Sequence, residues 1–311
     1  CGGQCSWSHM NAKPARVQPG SLQAWILASR PPTLPAAIVP VLVGSAPAAA
    51  VGAFRLLPFV AALLAALLIQ IGTNLANDYF DFRKGADTAA RLGPLRVTQS
   101  GLLAPEAVRA GMIGTFALAA LIGIYLVMVG GWPILLIGVL SITAGVLYTA
   151  GPFPLAYNAL GDLFAFVFFG LVAVCGTAFL HFGGVPLVAI LAALPVAALV
   201  TNILVVNNLR DIDTDRAARK HTLAVLLGRP ATRLQYLLLL IMAYLVPLLM
   251  ALSGETGPLA ALLPLVSLPL ARAPLRAVFR AEGRPLNLAL KQTAQLHLVF
   301  GALFAVGLLF A

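Results

Sequence analysis

The sequence predicts an all-α integral membrane protein built as a bundle of about nine transmembrane helices. Hydrophobic residues make up 60% of the 311 residues, and only 10% carry a formal charge. Apolar runs long enough to cross about 30 Å of hydrocarbon recur along the whole chain. The runs are continuous rather than alternating in period two. Because backbone groups in lipid must be satisfied internally, we predict that these runs are helices.

The apolar runs define the predicted elements in chain order. The spans are 22–45, 57–80, 106–129, 132–150, 159–181, 185–208, 232–252, 257–272 and 289–311. Proline interrupts the eighth span at three positions, so we expect this span to be short, kinked or tilted. Residues 10–311 are predicted to form a single transmembrane domain. Residues 1–9 precede Met10 in a Ser-His-Met sequence typical of a cloning junction, and we expect them to be a cloning remnant.

The distribution of positive charge predicts the orientation. Of the 20 Lys and Arg residues, all but Arg55 precede or enter the first span, or lie between spans two and three, six and seven, or eight and nine. The positive-inside rule then places the N-terminus and these loops in the cytoplasm of a bacterial cell, with the chain in the inner membrane. Topology explains the net charge of +10, so we predict membrane lipid and no nucleic acid as a partner.

The second span ends in a row of polar side chains. Asn74, Asp78 and Asp81 recur at i, i+4 and i+7 and therefore share one helix face. Asn77 lies beside this row, and Asp87 follows it in the adjoining loop. We call the set the first ladder.

The sixth span ends in a similar row, the second ladder. Asn207, Asp211 and Asp215 stand at i, i+4 and i+8, with Asn208 and Arg210 next to them. A basic loop follows each ladder. The two helix-and-loop units, near 74–109 and 202–233, therefore resemble an internal duplication.

The two ladders predict a divalent-cation site. A carboxylate inside the membrane costs about 2.5–3.5 kcal/mol on insertion scales, and several at one level repel each other. Carboxylate and amide oxygens suit Mg²⁺, which uses one or two carboxylates together with phosphate oxygens. Facing ladders would hold two or three Mg²⁺ ions and a diphosphate. The alternative is that both are hydrated helix ends capped by Asp and Asn.

The residues assigned to this site fall into three groups. The candidate metal ligands are Asn74, Asp78, Asp81, Asp87, Asn207, Asp211 and Asp215. The candidate substrate-binding residues beside them are Asn77, Lys84, Arg96, Asn208, Arg210 and Lys220, of which the basic ones balance phosphate charge. Asp213 either binds a metal or orients the site. A substrate with a diphosphate head and a long apolar tail, such as a polyprenyl diphosphate, suits such a site in a membrane bundle.

The motifs resemble those of a known family. N-D-Y-F-D-F-R-K-G-A-D at 77–87 and N-N-L-R-D-I-D-T-D-R at 207–216 resemble the two aspartate-rich motifs of the UbiA superfamily of intramembrane prenyltransferases. Four further segments are similar to the branch that prenylates 1,4-dihydroxy-2-naphthoate in menaquinone synthesis, namely 30–44, 91–101, 148–162 and 220–228. Gly85 stands where the 4-hydroxybenzoate branch usually has its third aspartate, and Asp87 follows it.

The resemblance implies a nine-helix bundle that binds Mg²⁺ through Asn74, Asp78, Asp81, Asp211 and Asp215. It also implies transfer of a polyprenyl chain from polyprenyl diphosphate onto 1,4-dihydroxy-2-naphthoate, with loss of the carboxyl group, giving demethylmenaquinol. The four aspartates are then also catalytic.

Two further regions are candidates for contacting the substrates. Arg30, at the mouth of the first span, either binds the carboxylate of the acceptor or anchors the topology. The 148–162 loop contains no Lys or Arg, which favours a substrate contact. Its candidate residues are Tyr148, Tyr157, Asn158 and Asp162. Tyr148 is a candidate catalytic residue that shields a carbocation or orients an acceptor hydroxyl, and the alternative is an interfacial aromatic. We interpret Phe164 and Phe168 as helix-packing or lipid-facing residues, with the alternative that some Phe residues of these spans line a tunnel for the prenyl chain.

Three alternative functions stay open at this point. Another UbiA-type transferase would use a 4-hydroxybenzoate, haem or chlorophyll-type acceptor. A CDP-alcohol phosphotransferase would need a compact D-G-x-x-A-R run, which the sequence lacks. An ion-coupled transporter would place its acidic residues near mid-membrane in broken helices, whereas both ladders here end their spans.

Overall fold

The computed structural model describes residues 17–85 and 92–310, so residues 1–9 and Asp87 lie outside the described residues. Apart from one isolated bridge between Asn158 and His221, the regular structure of these residues is helical. The helices are α1 Leu22–Ser29, α2 Pro35–Ala50, α3 Leu56–Arg83, α4 Pro105–Gly130, α5 Trp132–Leu147, α6 Gly161–Phe182, α7 Leu187–Ala217, α8 Leu223–Leu252, α9 Leu259–Leu265, α10 Leu268–Arg280 and α11 Leu286–Leu308.

Within the described ranges, five helices are long and apolar enough to cross a membrane, namely α3, α4, α6, α7 and α8. The number rises to seven if α1 with α2 and α9 with α10 each form one bent span. The short apolar helix α5 and the more polar α11 coincide with the remaining predicted spans. The predicted all-helical membrane fold is confirmed, and the count of nine spans stays a prediction.

The first predicted span is broken rather than continuous. Arg30 adopts the left-handed conformation with φ 51°, and Pro31–Thr33 form a single 3₁₀ turn before α2 begins. The axes of the two halves differ by 51°. Consecutive prolines remove two backbone donors, so a regular helix cannot continue through this point. The break exposes backbone carbonyls and the Thr33 side chain to the bundle interior.

One predicted span end differs from the helix end, because the membrane boundary and the helix boundary do not coincide. Helix α7 continues past the predicted end at 208 to Ala217. Helix α8 begins with a short turn at Leu223 and is kinked at Gly228 (φ 74°, ψ 171°), so its long apolar part begins after the kink, close to the predicted start at 232. Charged side chains end an apolar run without ending a helix, and α8 starts where the Thr222 hydroxyl accepts from the Val225 amide at 3.3 Å. The predicted basic loop between these helices is therefore reduced to residues 218–222. The eighth span is kinked as expected, with 52° between α9 and α10.

Helix α7 forms the centre of the bundle. It is the most deeply buried of the five long helices, with 67% of its apolar window inside the molecule. Helix α6 packs tightly against it, since a Cβ added at Gly170 would lie 2.1 Å from the Cβ of Ala197. Around this contact, residues 165–172 of α6 form a π-helix. Small residues at such crossings allow two backbones to approach closely in a membrane.

Most of the positive charge lies in the connecting segments at one end of the bundle, and Arg55 lies at the other end. At one end, Asn287 donates to the Leu92 carbonyl at 2.8 Å, and Arg233 donates to the Val278 carbonyl at 2.9 Å. These contacts join the segment after α3 to the start of α11, and α8 to α10. At the other end, the Arg55 guanidinium donates to the Leu180 carbonyl at 3.1 Å.

Candidate active site

A cavity of about 370 Å³ lies where the polar ends of α3 and α7 meet. The ladder residues that line it are Asn74, Asn77 and Asp81 from α3 and Asn207, Asn208, Asp211 and Asp215 from α7. Of the other predicted site residues, its lining includes Arg30, Arg96, Tyr148, Tyr157 and Lys220. The structure thus brings the two aspartate-rich segments to one cavity.

Asp81 is held at the cavity wall by two side chains from distant parts of the chain. Its carboxylate accepts from Nη2 of Arg96 at 2.7 Å and from the Tyr157 hydroxyl at 2.9 Å. The ammonium groups of Lys84 and Lys220 lie 5.4 and 4.5 Å from the centre of the Tyr157 ring, in cation–π geometry. Tyr157 therefore orients a carboxylate and at the same time contacts two lysines, of which Lys220 lines the cavity and Lys84 does not.

Lys84 sits immediately after the end of α3. Its ammonium donates to the carbonyls of Thr149 at 2.7 Å and Gly151 at 3.2 Å, which fixes the start of the 148–162 loop. Burial lowers the pKa of Lys84 below its usual value, and the nearby Asp81 carboxylate opposes this shift.

Arg210 lies behind the cavity wall and is fully buried. Its Nε donates to Asp211 at 2.8 Å, and its Nη2 donates to Asn207 at 2.8 Å. The remaining Nη1 donates to Asn287 at 2.8 Å, which joins α7 to α11. Because its guanidinium fixes two ladder residues, Arg210 positions the second ladder, and its contact with a diphosphate stays a prediction.

Asp215 and Lys220 both line the cavity and form its third charge pair. The Lys220 ammonium lies 3.6 Å from the Asp215 carboxylate. The Lys220 amide also donates to the Asp215 carbonyl at 2.9 Å, just after Arg219 in the left-handed conformation with φ 54°. This tight turn returns the lysine to the end of its own helix.

Asp78 does not line the cavity in this structure. Its two carboxylate oxygens accept from the backbone amides of Val97 at 3.2 Å and Thr98 at 3.1 Å, and the residue is 2% exposed. Asp78 therefore holds the backbone just after Arg96 in place, and the Arg96 side chain reaches Asp81 from there. Its assignment as a metal ligand stays a prediction.

Three further candidates also lie outside the cavity lining. Asp162 accepts from Asn208 at 2.9 Å and from Gln235 at 2.8 Å, which links α6, α7 and α8. Asn158 donates to the Pro154 carbonyl at 2.7 Å within its own loop. The Asp213 side chain is 68% exposed and pairs with Arg229 at the surface.

Sequence reasoning missed several residues that line the cavity. Gln70 lies one turn before Asn74 on α3, and Thr33 reaches the Asn74 amide from the break after α1. The aromatic wall is formed by Phe164, Phe168 and Phe169. The sequence left open which Phe residues line a tunnel for the prenyl chain, and the structure places Phe164 and Phe168 in the cavity lining, where their rings stack 5.4 Å apart. No sequence pattern distinguishes these rings from the other apolar side chains of the same span.

A second cavity of about 760 Å³ adjoins the first. Both cavities share the residues Ala66, Ile69, Ser141, Phe168 and Ala173. The second runs between α3, α4, α5 and α6, and its lining is almost entirely apolar. Its rim includes exposed side chains of α4, such as Leu121 and Met128. A polar chamber thus continues into an apolar groove that opens at the bundle surface.

The donor set of the cavity fits a hard cation. Its candidate ligands are carboxylate and amide oxygens, with no His or Cys in the described lining. Among the described residues, no three Asp, Glu, His or Cys side chains converge closely enough to enclose a metal ion. This arrangement fits Mg²⁺ that is held by one or two carboxylates per ion and completed by phosphate oxygens and water, rather than by the protein alone.

Comparisons with known proteins agree with this geometry. Residues 37–299 match the model of the UbiA prenyltransferase family. A 1,4-dihydroxy-2-naphthoate octaprenyltransferase from Escherichia coli (strain K12) is 38% identical, over 92% of this chain and 95% of that protein. A protein of the same name from Bacillus subtilis (strain 168) is 34% identical, over 90% of each chain.

Solved structures share the fold at low sequence identity. A UbiA homolog from Aeropyrum pernix K1 has a TM-score of 0.64 at 18% identity, over 85% of this chain and 97% of that chain. A UbiA homolog from Archaeoglobus fulgidus bound to GPP and Mg²⁺ has a TM-score of 0.63 at 15% identity, over 93% of this chain and 100% of that chain.

Proposed function

The chain belongs to the UbiA prenyltransferase family, and we propose that it transfers a polyprenyl chain from polyprenyl diphosphate to 1,4-dihydroxy-2-naphthoate. The carboxyl group of the acceptor leaves as CO₂, and the product is demethylmenaquinol. The observation that carries this proposal is the continuity between the two cavities, because one end of the chamber is charged and the other is apolar. A diphosphate ester of a long hydrocarbon has the same two-part character.

The charged end suits the diphosphate. Arg96 and Lys220 line the chamber and each lies beside a carboxylate, so both can turn towards phosphate oxygens as these enter. Bound Mg²⁺ would supply the electrophilic charge that lets the allylic C–O bond break, with the electron pair leaving on the diphosphate. We infer two or three such ions, held by Asp81, Asp211 and Asp215 with the ladder asparagines beside them.

The apolar end suits the hydrocarbon. The aromatic wall of Phe164, Phe168 and Phe169, together with Tyr148, lines the polar cavity, and Phe168 also lines the apolar groove. Aromatic faces stabilise a nearby positive charge, and an apolar wall excludes the water that would otherwise trap the allylic cation. The acceptor ring then forms the new C–C bond at the carbon that loses its carboxyl group.

The protein is an integral membrane protein, and we propose that it lies in the bacterial cytoplasmic membrane with the ladder end facing the cytoplasm. The concentration of Lys and Arg at that end supports this orientation. Thiol labelling with an impermeant reagent, applied to cysteines introduced at Gly52 and at Gly283, would test the orientation. Labelling of the Gly283 position from outside the cell would contradict it.

The decisive experiment compares acceptors. Purified protein with Mg²⁺, a polyprenyl diphosphate and 1,4-dihydroxy-2-naphthoate is expected to release diphosphate and CO₂ and to form a prenylated quinol. Addition of EDTA should stop the reaction, and excess Mg²⁺ should restore it, because the carboxylates alone cannot stabilise the leaving group. Transfer to 4-hydroxybenzoate instead of the naphthoate would refute the acceptor and leave the prenyltransferase assignment intact.

A further inference from the structure

The break between α1 and α2 holds one hydroxyl whose hydrogen-bonding capacity is completely used. Thr33 Oγ1 donates its proton to the Arg30 carbonyl at 2.9 Å. The same oxygen accepts from Nε2 of Gln70 at 3.1 Å and from Nδ2 of Asn74 at 2.9 Å. A hydroxyl has one proton and two lone pairs, so Thr33 can accept no further partner and can donate to neither amide.

This saturation fixes which way the Gln70 amide points. Because Thr33 has no second proton to give, Gln70 must present its NH₂ group to Thr33, and its carbonyl oxygen must point elsewhere. Gln70 lines the 370 Å³ cavity and is 6% exposed. Its Oε1 is fully buried and has no hydrogen-bond partner among the described residues. A buried carbonyl oxygen in this position needs a donor that residues 17–85 and 92–310 do not supply.

Asn74 is oriented by the same network. Its Nδ2 donates one hydrogen to the Ser29 carbonyl at 2.9 Å and the other to Thr33. Two amide side chains, one helical turn apart on α3, are therefore both held by their NH₂ groups against the helix break. The side-chain carbonyl oxygens of both residues are therefore available to interact with a ligand. Gln70 is the deeper of the two along α3.

We propose that Oε1 of Gln70 accepts a hydrogen bond from a ring hydroxyl of the aromatic acceptor and so positions the acceptor and selects for that hydroxyl. This inference rests on the proposed function. Gln70 acts here as a specificity-determining residue, and Thr33 is the positioning residue that holds its amide.

The chemistry of the ligands favours the acceptor over the donor substrate. Ionised phosphate oxygens and a hydrocarbon tail have no proton to offer a carbonyl oxygen, whereas a dihydroxylated ring has two. Position along the helix agrees, since eleven residues separate Gln70 from Asp81, or about 16 Å of helix axis. A diphosphate held beside Asp81 therefore does not reach Gln70. A bound water is the remaining occupant of this position.

The test pairs a change in the protein with a change in the acceptor. Gln70→Met removes the oxygen at nearly constant volume, and kcat/KM is measured with 1,4-dihydroxy-2-naphthoate and with two analogues that each lack one ring hydroxyl. With the full acceptor, we expect a loss of about tenfold, the worth of one neutral hydrogen bond. With the analogue lacking the recognised hydroxyl, the substitution should change kcat/KM by less than about twofold.

Controls separate recognition from packing. Gln295→Met makes the same chemical change on an exposed face of α11 and should leave every kcat/KM value unchanged. The KM for the prenyl diphosphate should stay constant in all variants, and thermal unfolding in detergent checks folding.

The outcomes are distinct. An equal loss with all three acceptors would mean that Gln70 only packs or binds water, and it would overturn this inference while leaving the proposed function standing. If the wild-type protein prenylates none of these acceptors, the proposed function itself fails.

Discussion

Asp211 and Asp213 are two residues apart on α7 and lie in opposite environments. Asp211 faces the cavity and is held by the buried Arg210, whereas Asp213 is 68% exposed and pairs with Arg229 at the surface. Residues two positions apart on a helix point in different directions, so only one of them can join the ladder of Asn207 and Asp215. The pair therefore offers a matched comparison within a single motif.

We expect that replacing Asp211 removes most of the prenyl-transfer activity and that replacing Asp213 preserves it. Asp211→Asn keeps the shape of the side chain and removes the charge that binds a cation, so we expect kcat/KM for prenyl transfer to fall by about 100-fold or more. Asp213→Asn removes only an exposed ion pair and should change kcat/KM by less than about twofold. The rate of Mg²⁺-dependent diphosphate release measures the activity of both variants. Equal losses of activity would contradict the assignment of Asp211, and not Asp213, to the ladder face.

Helix periodicity alone could predict which residues of α7 share the cavity, because Asn207, Asp211 and Asp215 repeat at nearly one turn. The same reasoning could not separate Asp78 from Asp81. Both belong to one face of α3, but the backbone amides of Val97 and Thr98 occupy Asp78, while a side chain from the same segment reaches Asp81. That difference depends on how a loop folds back, and no local pattern encodes it.

At the scale of the helix, the contact between α6 and α7 supports the whole site. Helix α7 carries the second ladder, and α6 carries the aromatic wall from a π-helical segment at 165–172. The two helices touch where a Cβ on Gly170 would collide with Ala197. Their separation therefore sets the distance between the aromatic wall and the carboxylates.

Gly170→Ala should destabilise the protein although alanine is the better helix former. The added methyl group would lie 2.1 Å from the Ala197 Cβ, so the helices must separate, at a cost of about 1–3 kcal/mol. Gly114→Ala on α4 meets nothing within 4 Å and should leave the unfolding temperature unchanged or slightly higher. Thermal unfolding in detergent compares the two. If Gly170→Ala were as stable as Gly114→Ala, the close crossing would be refuted.

Helix ends were the least predictable elements. Hydropathy located the apolar middle of each span but ended the sixth span at 208, whereas α7 continues to Ala217, because hydropathy reports the membrane boundary and not the hydrogen-bonding pattern. It also carried the first span through Pro31 and Pro32, where the helix breaks. Both segments contain groups that line the cavity, namely Asp211 and Thr33.

At the scale of the whole molecule, the polar cavity and the apolar groove form one continuous space. The groove is the larger of the two and runs along α4 and α5 to side chains that are exposed at the bundle surface. A long hydrocarbon can lie in it with its far end in lipid. We therefore expect the width of the groove to affect which donors are accepted.

Narrowing the groove should shorten the accepted donor. Gly138 lines the groove, and a Cβ placed there meets nothing within 4 Å, so a larger side chain fits and projects into the space. For Gly138→Phe we expect kcat/KM to fall by about tenfold or more with long polyprenyl diphosphates and to stay constant with dimethylallyl diphosphate. Gly114→Phe on the exposed face of α4 is the control. Equal losses with short and long donors would show that the tail lies elsewhere.

The three charge pairs of the cavity, Asp81 with Arg96, Asp211 with Arg210 and Asp215 with Lys220, make the empty chamber nearly neutral. A divalent ion entering alone would leave surplus positive charge, and a pyrophosphate group entering alone would leave surplus negative charge. Arriving together, they cancel. Because two ligands that favour each other must do so reciprocally, we expect Mg²⁺ and the prenyl diphosphate each to raise the affinity for the other by the same factor.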